Sequence, residues 1–222
     1  MKKAESLVLV PGLMCDDAVW RHQIAALSAG RDIQVAEHAL CDSLGLMAER
    51  ILDTAPASFA LAGHSMGGRV ALEVMARAPK RVTKLALLDT GYQALAPGEA
   101  GQREKAGRYR LLEIAQKSGM LTMAEEWSHG MVYPARLTDR PLMHAVQSMI
   151  ARATVQQFAA QIRALLERPD RTALLTSLRL PTLVLCGRND SWSPLARHED
   201  MAALIAGSHL VPVPDCGHMS TM

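Results

Sequence analysis

Three side chains of this sequence could together perform nucleophilic acyl transfer: Ser65, Asp190 and His218. A serine hydroxyl is a weak nucleophile at neutral pH, so it needs a nearby base and a carboxylate that orients this base. The three residues occur in the order Ser, Asp, His, and each follows a run that is typical of a β-strand. Parallel strands bring such residues to one edge of a sheet. We therefore expect Ser65 as the nucleophile, His218 as the base and Asp190 as the acid.

The serine lies between two glycines, Gly63 and Gly67, in the stretch GHSMG. A tight turn from a strand into a helix strains its central residue, and small neighbours let the turn pack closely against the sheet. Such a turn presents the serine Oγ at the end of the strand, as in the nucleophile elbow G-x-S-x-G. The alternative is an ordinary glycine-rich turn in which Ser65 caps the following helix.

Two further residues compete for roles in this group. Asp89 also follows an apolar run, LALLD, and is the rival acid. We prefer Asp190 because its GRND loop has the polar turn residues that aim a carboxylate. His64 lies inside the elbow, where we expect it to pack beside the nucleophile without serving as the base.

An acyl-transfer site also needs donors for the oxyanion that develops on the substrate. The backbone N–H of Met66, directly after the nucleophile, is the first candidate. The second is the N–H of Leu13, because Gly12 lets the PGLM loop turn sharply after the first strand. If Pro11-Gly12 were only a turn, Leu13 and Met14 would be exposed apolar residues without a purpose.

Short apolar runs alternate with amphipathic stretches along most of the chain, and this rhythm predicts a parallel sheet covered by helices on both faces. The predicted strands are residues 6–10, 33–37, 58–62, 84–89, 182–186 and 209–213. The predicted helices between them are residues 17–29, one capped by Asp42 or Ser43, residues 66–78, and one that begins near Pro194.

Residues 91–172 break the rhythm and contain no convincing strand. We predict helices near residues 99–118, 120–131, 138–150 and 154–168. The predicted organisation is a core of residues 1–90 and 173–222 with a helical lid, residues 91–172, inserted in it.

The lid is expected to determine the choice of substrate. Trp127 and Tyr133, with Met14 from the oxyanion loop, are the predicted substrate contacts. Several lid methionines would suit an adaptable apolar pocket, although helix core explains most of them. Arg103, Arg108 and Arg110 are interpreted as solvated helix faces rather than as ligands of a substrate carboxylate.

Composition and charge limit the possible domain number, partners and cell compartment. The 222 residues, of which 49% are hydrophobic, suit one domain with a substantial core. A net charge of +2 and 4% aromatic residues do not favour a nucleic-acid partner. The four cysteines include no CxxC pair, so a zinc site is not expected. The LVLV run is too short for a signal peptide or membrane helix, which predicts a cytoplasmic protein with reduced thiols.

Taken together, these motifs resemble those of the α/β-hydrolase superfamily. VLVPGLMCDDAVW resembles the oxyanion strand and loop, GHSMGG the elbow, PTLVLCGRNDSWSP the acid loop and VPDCGHMS the histidine loop. The sequence is most similar to small bacterial carboxylesterase-like members with a helical lid. This resemblance implies hydrolysis of a small or medium, partly apolar ester without a cofactor. The expected partner is a small-molecule substrate, and no membrane association is expected. The chain is expected to be a monomer or a homodimer.

Other chemistries fit the same residues. A C–C bond hydrolase, a lactonase, a lyase or a perhydrolase would use the same triad, and hydrolase-fold ligand receptors retain it. The sequence also departs from the superfamily pattern. Pro11 stands where a histidine is usual, and the chain ends where a closing helix would follow His218. We therefore expect either a truncated chain or a mobile histidine loop over residues 214–222.

Overall fold

The computed structural model describes residues 5–222 and contains a six-stranded sheet. The strands are β1 (Leu7–Val10), β2 (Ile33–Val35), β3 (Phe59–His64), β4 (Val82–Leu88), β5 (Thr182–Gly187) and β6 (His209–Val213). All neighbouring strands pair in parallel, in the order β2-β1-β3-β4-β5-β6. The predicted parallel α/β fold is confirmed.

The central strands form because their apolar runs are continuous. Every residue of β1 and β3 is buried, as expected for strands covered on both faces. Parallel pairing matches Val10 with Gly63, and His64 with Leu88. The ends of β1, β3 and β4 therefore lie at one edge of the sheet, and the loops that follow them meet there.

Nine α-helices occur within residues 5–222. They are α1 (Arg21–Leu27), α2 (Leu44–Thr54), α3 (Met66–Arg77), α4 (Gly98–Ser118), α5 (Met120–Ser128), α6 (Arg140–Ala151), α7 (Val155–Leu166), α8 (Thr172–Ser177) and α9 (Leu195–Leu204). Ser43 caps α2 by accepting a hydrogen bond from the N–H of Leu46 at 3.1 Å. Crossovers between parallel strands are right-handed. The chain passes from β1 to β2 and then reverses direction to reach β3, which puts α1 on one face of the sheet and α2 and α3 on the other. None of the helices in this part of the chain combines the length and apolarity that a membrane crossing requires.

The chain between β4 and β5 forms α4 to α8, and the described residues there contain no strand. The observed bounds agree with the predicted helices to within a few residues, except that α8 was not predicted. Several ion pairs fasten this helical insertion (residues 91–172). Arg168 binds Glu104 within it, and Arg171 binds Glu73 of the core at 2.6 Å.

The histidine loop is packed, so the structure does not support the mobile-loop alternative for residues 214–222. His218, Met219 and Thr221 are buried. The backbone N–H of His218 donates to the carbonyl of Met131 at 2.7 Å. A backbone contact with the helical insertion therefore holds this loop, a long-range contact that the local sequence does not reveal.

Candidate active site

Ser65 has the strained backbone that the sequence predicts for the centre of the turn. Its φ is 55° and its ψ is −119°, between the end of β3 and the start of α3. A Cβ on Gly63 would collide with the carbonyl of Gly67, and a Cβ on Gly67 with the carbonyl of Val10. The two glycines are thus required by close backbone contacts across the turn.

The side chains of Ser65, His218 and Asp190 form a continuous hydrogen-bonded chain. His218 Nε2 lies 2.8 Å from Ser65 Oγ, and His218 Nδ1 lies 2.7 Å from Asp190 Oδ2. Because Nδ1 faces a carboxylate, it carries the imidazole proton, and Nε2 is free to accept the serine proton. In this geometry the hydroxyl can be deprotonated as it attacks a carbonyl carbon.

Asp190 is fixed by the turn that contains it. Its Oδ1 accepts hydrogen bonds from the N–H groups of Trp192 at 2.8 Å and Ser193 at 2.9 Å. These bonds leave Oδ2 for His218. The carboxylate is buried and fully paired, which meets the condition for keeping a charge out of water. The polar turn GRND thus aims the side chain as its composition predicts.

Asp89, the rival acid, lies at the end of β4 and has different partners. Its Oδ1 accepts from the N–H of Gly187 at 2.9 Å, and its Oδ2 accepts from the N–H of Ser220 at 3.1 Å. Its Oδ2 also lies 3.4 Å from His64 Nε2. Burial alone would lower the pKa of His64, but Asp89, together with Cys15, raises it to about 10. Asp89 therefore holds the histidine loop through its hydrogen bond with Ser220.

The two predicted oxyanion donors are available. Among the described residues, no acceptor is found for the backbone N–H of Leu13 or Met66. The next N–H along the loop, that of Met14, instead donates to Gln161 Oε1 at 2.9 Å. Gln161 is buried on α7, so the helical insertion holds the oxyanion loop. Sequence reasoning missed Gln161, although a glutamine among Phe158, Ile162 and Leu165 was a visible signal.

A cavity of about 650 Å³ opens above Ser65 and His218. Of the predicted substrate contacts, Trp127 lines this cavity, whereas Met14 and Tyr133 do not. Met14 has a φ of 58°, and its side chain is buried in the core. Tyr133 lies beside Gly217 of the histidine loop. Both positions depend on tertiary packing that sequence spacing cannot show.

An aromatic wall borders His218, and of its two tryptophans the sequence predicted Trp127 but not Trp192. Trp192 stacks on Trp127 with ring centroids 5.4 Å apart, and it lies 5.0 Å from the His218 ring. Trp192 follows Asp190 by two residues, so its loop carries both the acid and a wall of the cavity. The closeness of Trp192 to Asp190 in the sequence was the signal that could have placed it in the cavity.

The cavity lining carries mostly positive charge. Six arginines line the cavity, together with the carboxylates of Asp89, Glu104 and Glu126. They are Arg69, Arg103, Arg108, Arg110, Arg168 and Arg197. Arg103 and Arg110 are largely exposed, as expected for solvated helix faces, whereas Arg108 is mostly buried; each borders the cavity and pairs with a glutamate.

Glu104 lies between two of these arginines, Arg168 and Arg108, at 2.7 to 2.9 Å. Burial alone would raise the pKa of Glu104, but its hydrogen bonds and charge interactions with Arg168 and Arg108 lower it to about 2. A lowered carboxyl pKa stabilises the fold above the ordinary value near 4.5, and this contribution is lost as the pH falls towards 2. Ionised Glu104 thus links α4 to the end of the helical insertion.

We expect Glu104→Gln to reduce the free energy of unfolding by about 1–2 kcal/mol at pH 7, a value that allows for partial solvent screening. Urea unfolding of both proteins from pH 7 to pH 2.5 should show this difference shrinking below pH 4.5, because the unfolded wild-type chain then takes up a proton at Glu104 while the folded protein still holds the carboxylate ionised. Glu113→Gln, which removes an exposed pair with Lys117, is the matched control and should change little. A difference that is independent of pH would contradict the prediction.

Comparisons with known proteins agree with this fold. A family model described as alpha/beta hydrolase fold matches residues 42–222 of the chain. A thermophilic esterase from Thermogutta terrifontis, solved with malate bound, has a similar structure, with a TM-score of 0.84 and 28% identity. That match covers 98% of this chain and 84% of the esterase.

Two curated proteins are similar in sequence. A 2-hydroxy-6-oxononadienedioate/2-hydroxy-6-oxononatrienedioate hydrolase from Pseudomonas putida is 31% identical over 163 residues, which cover 70% of this chain. The matched part spans only 55% of that relative's length. A pimeloyl-(acyl-carrier protein) methyl ester esterase from Nitrosomonas europaea is 25% identical, over 96% of this chain and 88% of its own.

Proposed function

Since the chain belongs to the alpha/beta hydrolase fold family, we propose that it is a serine hydrolase that cleaves a small or medium carboxylic ester through an acyl-enzyme. The observation that carries this proposal is the hydrogen-bonded series Ser65–His218–Asp190 at the floor of the cavity. Free N–H groups beside the serine support it, because acyl transfer needs donors for an oxyanion.

In the proposed mechanism, Ser65 attacks the ester carbonyl while His218 Nε2 takes its proton. The backbone N–H groups of Leu13 and Met66 bind the oxyanion of the tetrahedral intermediate. Asp190 holds the imidazole in its productive tautomer and stabilises the imidazolium. His218 then protonates the leaving alcohol, and water, activated by the same histidine, releases the acid and restores Ser65.

The cavity supports a substrate that is partly apolar. Trp127, Phe158, Leu111 and Met131 contribute apolar surface to its lining, which also includes Ser65 and the arginines. A volume of about 650 Å³ lies within the usual range for small-molecule sites. The similarity to an esterase and to a methyl ester esterase agrees with ester cleavage.

One observation favours a second candidate chemistry. The relative from Pseudomonas putida is named for a 6-oxo dioate, which offers a ketone carbonyl instead of an ester. The same triad can add to such a ketone, after which a C–C bond would break in place of a C–O bond. Product analysis on matched ester and ketone substrates separates the two candidates.

The test of the proposal is labelling with a fluorophosphonate, followed by intact and peptide mass measurement. We expect one adduct on Ser65 and none in Ser65→Ala, because only an activated serine beside an oxyanion site displaces the fluoride. A panel of 4-nitrophenyl esters of increasing acyl length then measures turnover. Absence of an adduct, together with no ester turnover, would refute the serine-hydrolase function.

A further inference from the structure

Two arginines converge on one wall of the cavity beside the loop after β4. Arg69 follows Ser65 by one helical turn on α3, and Arg197 lies in the first turn of α9. A Cβ placed on Gly91 would lie 2.6 Å from Arg69 Nη2 and 3.2 Å from Arg197 Cδ. The absence of a side chain at Gly91 therefore leaves the space in which both arginine side chains meet.

These two guanidinium groups have only neutral partners. Arg69 donates to the carbonyl of Gln93 at 2.7 Å, and Arg197 donates to the carbonyl of Trp192 at 3.1 Å. Within residues 5–222, no carboxylate oxygen lies within 4.0 Å of either one. Neutral acceptors satisfy N–H groups without cancelling charge, so each arginine keeps a full positive charge in the cavity wall.

The surrounding charges do not balance this pair. Arg108 and Arg168 lie nearby and share one carboxylate, that of Glu104. Within residues 5–222, these four guanidinium groups have a single carboxylate at ion-pairing distance, and the six arginines of the cavity lining exceed its three carboxylates. Burial, followed by the charges of Arg168 and Arg197, lowers the pKa of Arg69 to about 9. Arg69 remains protonated at neutral pH, and its proton is held less tightly because positive charge crowds it.

An excess of positive charge in a partly dry cavity is relieved by a bound anion. Guanidinium groups match planar carboxylates, to which they donate in parallel pairs. We infer that Arg69 and Arg197 form a binding subsite for a carboxylate that the substrate carries in addition to its reactive ester. This inference rests on the proposed function, and it makes the substrate class a monoester of a dicarboxylic acid or an ester of a carboxylate-bearing alcohol.

The kinetic test compares esters that differ in one carboxylate. The pairs are 4-nitrophenyl hydrogen glutarate against 4-nitrophenyl pentanoate, and 4-acetoxybenzoate against 4-methylphenyl acetate. We expect wild type to prefer the acidic member of at least one pair by tenfold or more in kcat/KM. Arg69→Gln and Arg197→Gln should each reduce this preference about tenfold, because each removes a charged hydrogen-bond donor.

The ratio of kcat/KM values within a pair distinguishes a loss of carboxylate binding from a loss of folded protein, since misfolding lowers the two rates equally. Arg163→Gln is the matched control, because Arg163 is an exposed arginine of α7 outside the cavity lining. It should change the preference by less than twofold. A wild type without preference for either acidic ester, or variants with an unchanged ratio, would overturn the inference while leaving Ser65 labelling intact.

Calorimetric titration of Ser65→Ala with glutarate, pentanoate and inorganic phosphate tests the subsite without turnover. Glutarate should bind at least tenfold more tightly than pentanoate, and Arg69→Gln in the Ser65→Ala background should remove the difference. Phosphate binding as tight as glutarate binding would overturn the carboxylate assignment in favour of a general anion site. Equal binding of glutarate and pentanoate would overturn the subsite altogether.

Discussion

Ser65→Ala is expected to lower kcat/KM for a 4-nitrophenyl ester by about 10⁴- to 10⁶-fold. The alanine cannot form an acyl-enzyme, so only the oxyanion donors and the binding contacts remain. The fold should persist, because the Ser65 hydroxyl has one partner, His218 Nε2 at 2.8 Å. Initial rates with purified protein, together with a thermal melt, measure both parts of this prediction.

Ser177→Ala provides the control for a serine outside the cavity. Ser177 lies at the end of α8, and its hydroxyl donates only to the carbonyl of Leu174. The activity of Ser177→Ala should equal that of wild type. If Ser65→Ala retained activity within tenfold of wild type, Ser65 would not be the nucleophile.

Asp190→Asn is expected to lower kcat by about 10³- to 10⁴-fold. An amide can present its NH2 group to His218 Nδ1, which favours the imidazole tautomer whose Nε2 carries the proton. That tautomer cannot accept the proton of Ser65. The KM should change little, because Asp190 is buried behind the histidine, away from the cavity. Steady-state kinetics on an activated ester measures kcat and KM separately.

Asp89→Asn is the matched control, since Asp89 is also a buried carboxylate at the edge of the sheet. Its partners are Gly187, Ser220 and His64 rather than the His218 ring. We expect the free energy of unfolding to fall by about 1–3 kcal/mol, with kcat within about tenfold of wild type. The reverse pattern, a mild Asp190 variant and a severe Asp89 variant, would exchange the roles of the two acids.

The parts of the fold that sequence predicted are those governed by local pattern. Continuous apolar runs gave strands, and a helical spacing gave α3 directly after Ser65. The relative positions of Ser65, Asp190 and His218 could be anticipated because parallel strands end at one edge. A motif that directly follows a strand therefore carries three-dimensional information, although its catalytic role remains a prediction.

The walls of the cavity could not be predicted in the same way. Met14 and Tyr133 were expected on these walls and lie elsewhere, whereas Trp192, Arg69 and Arg197 lie on them. Each position depends on how α4 to α7 pack over the sheet edge. Local periodicity separates buried from exposed faces of a helix, but it does not distinguish a core contact from a cavity wall.

The hydrogen bond from His218 to the carbonyl of Met131 has a consequence for protein engineering. Exchanging the helical insertion with that of a relative is an obvious way to alter the range of substrates. Here such a chimera would also exchange the backbone group that holds the histidine loop. A graft that ends before Met131, and so keeps the host's own segment there, would preserve the geometry of the proton transfer while changing the cavity.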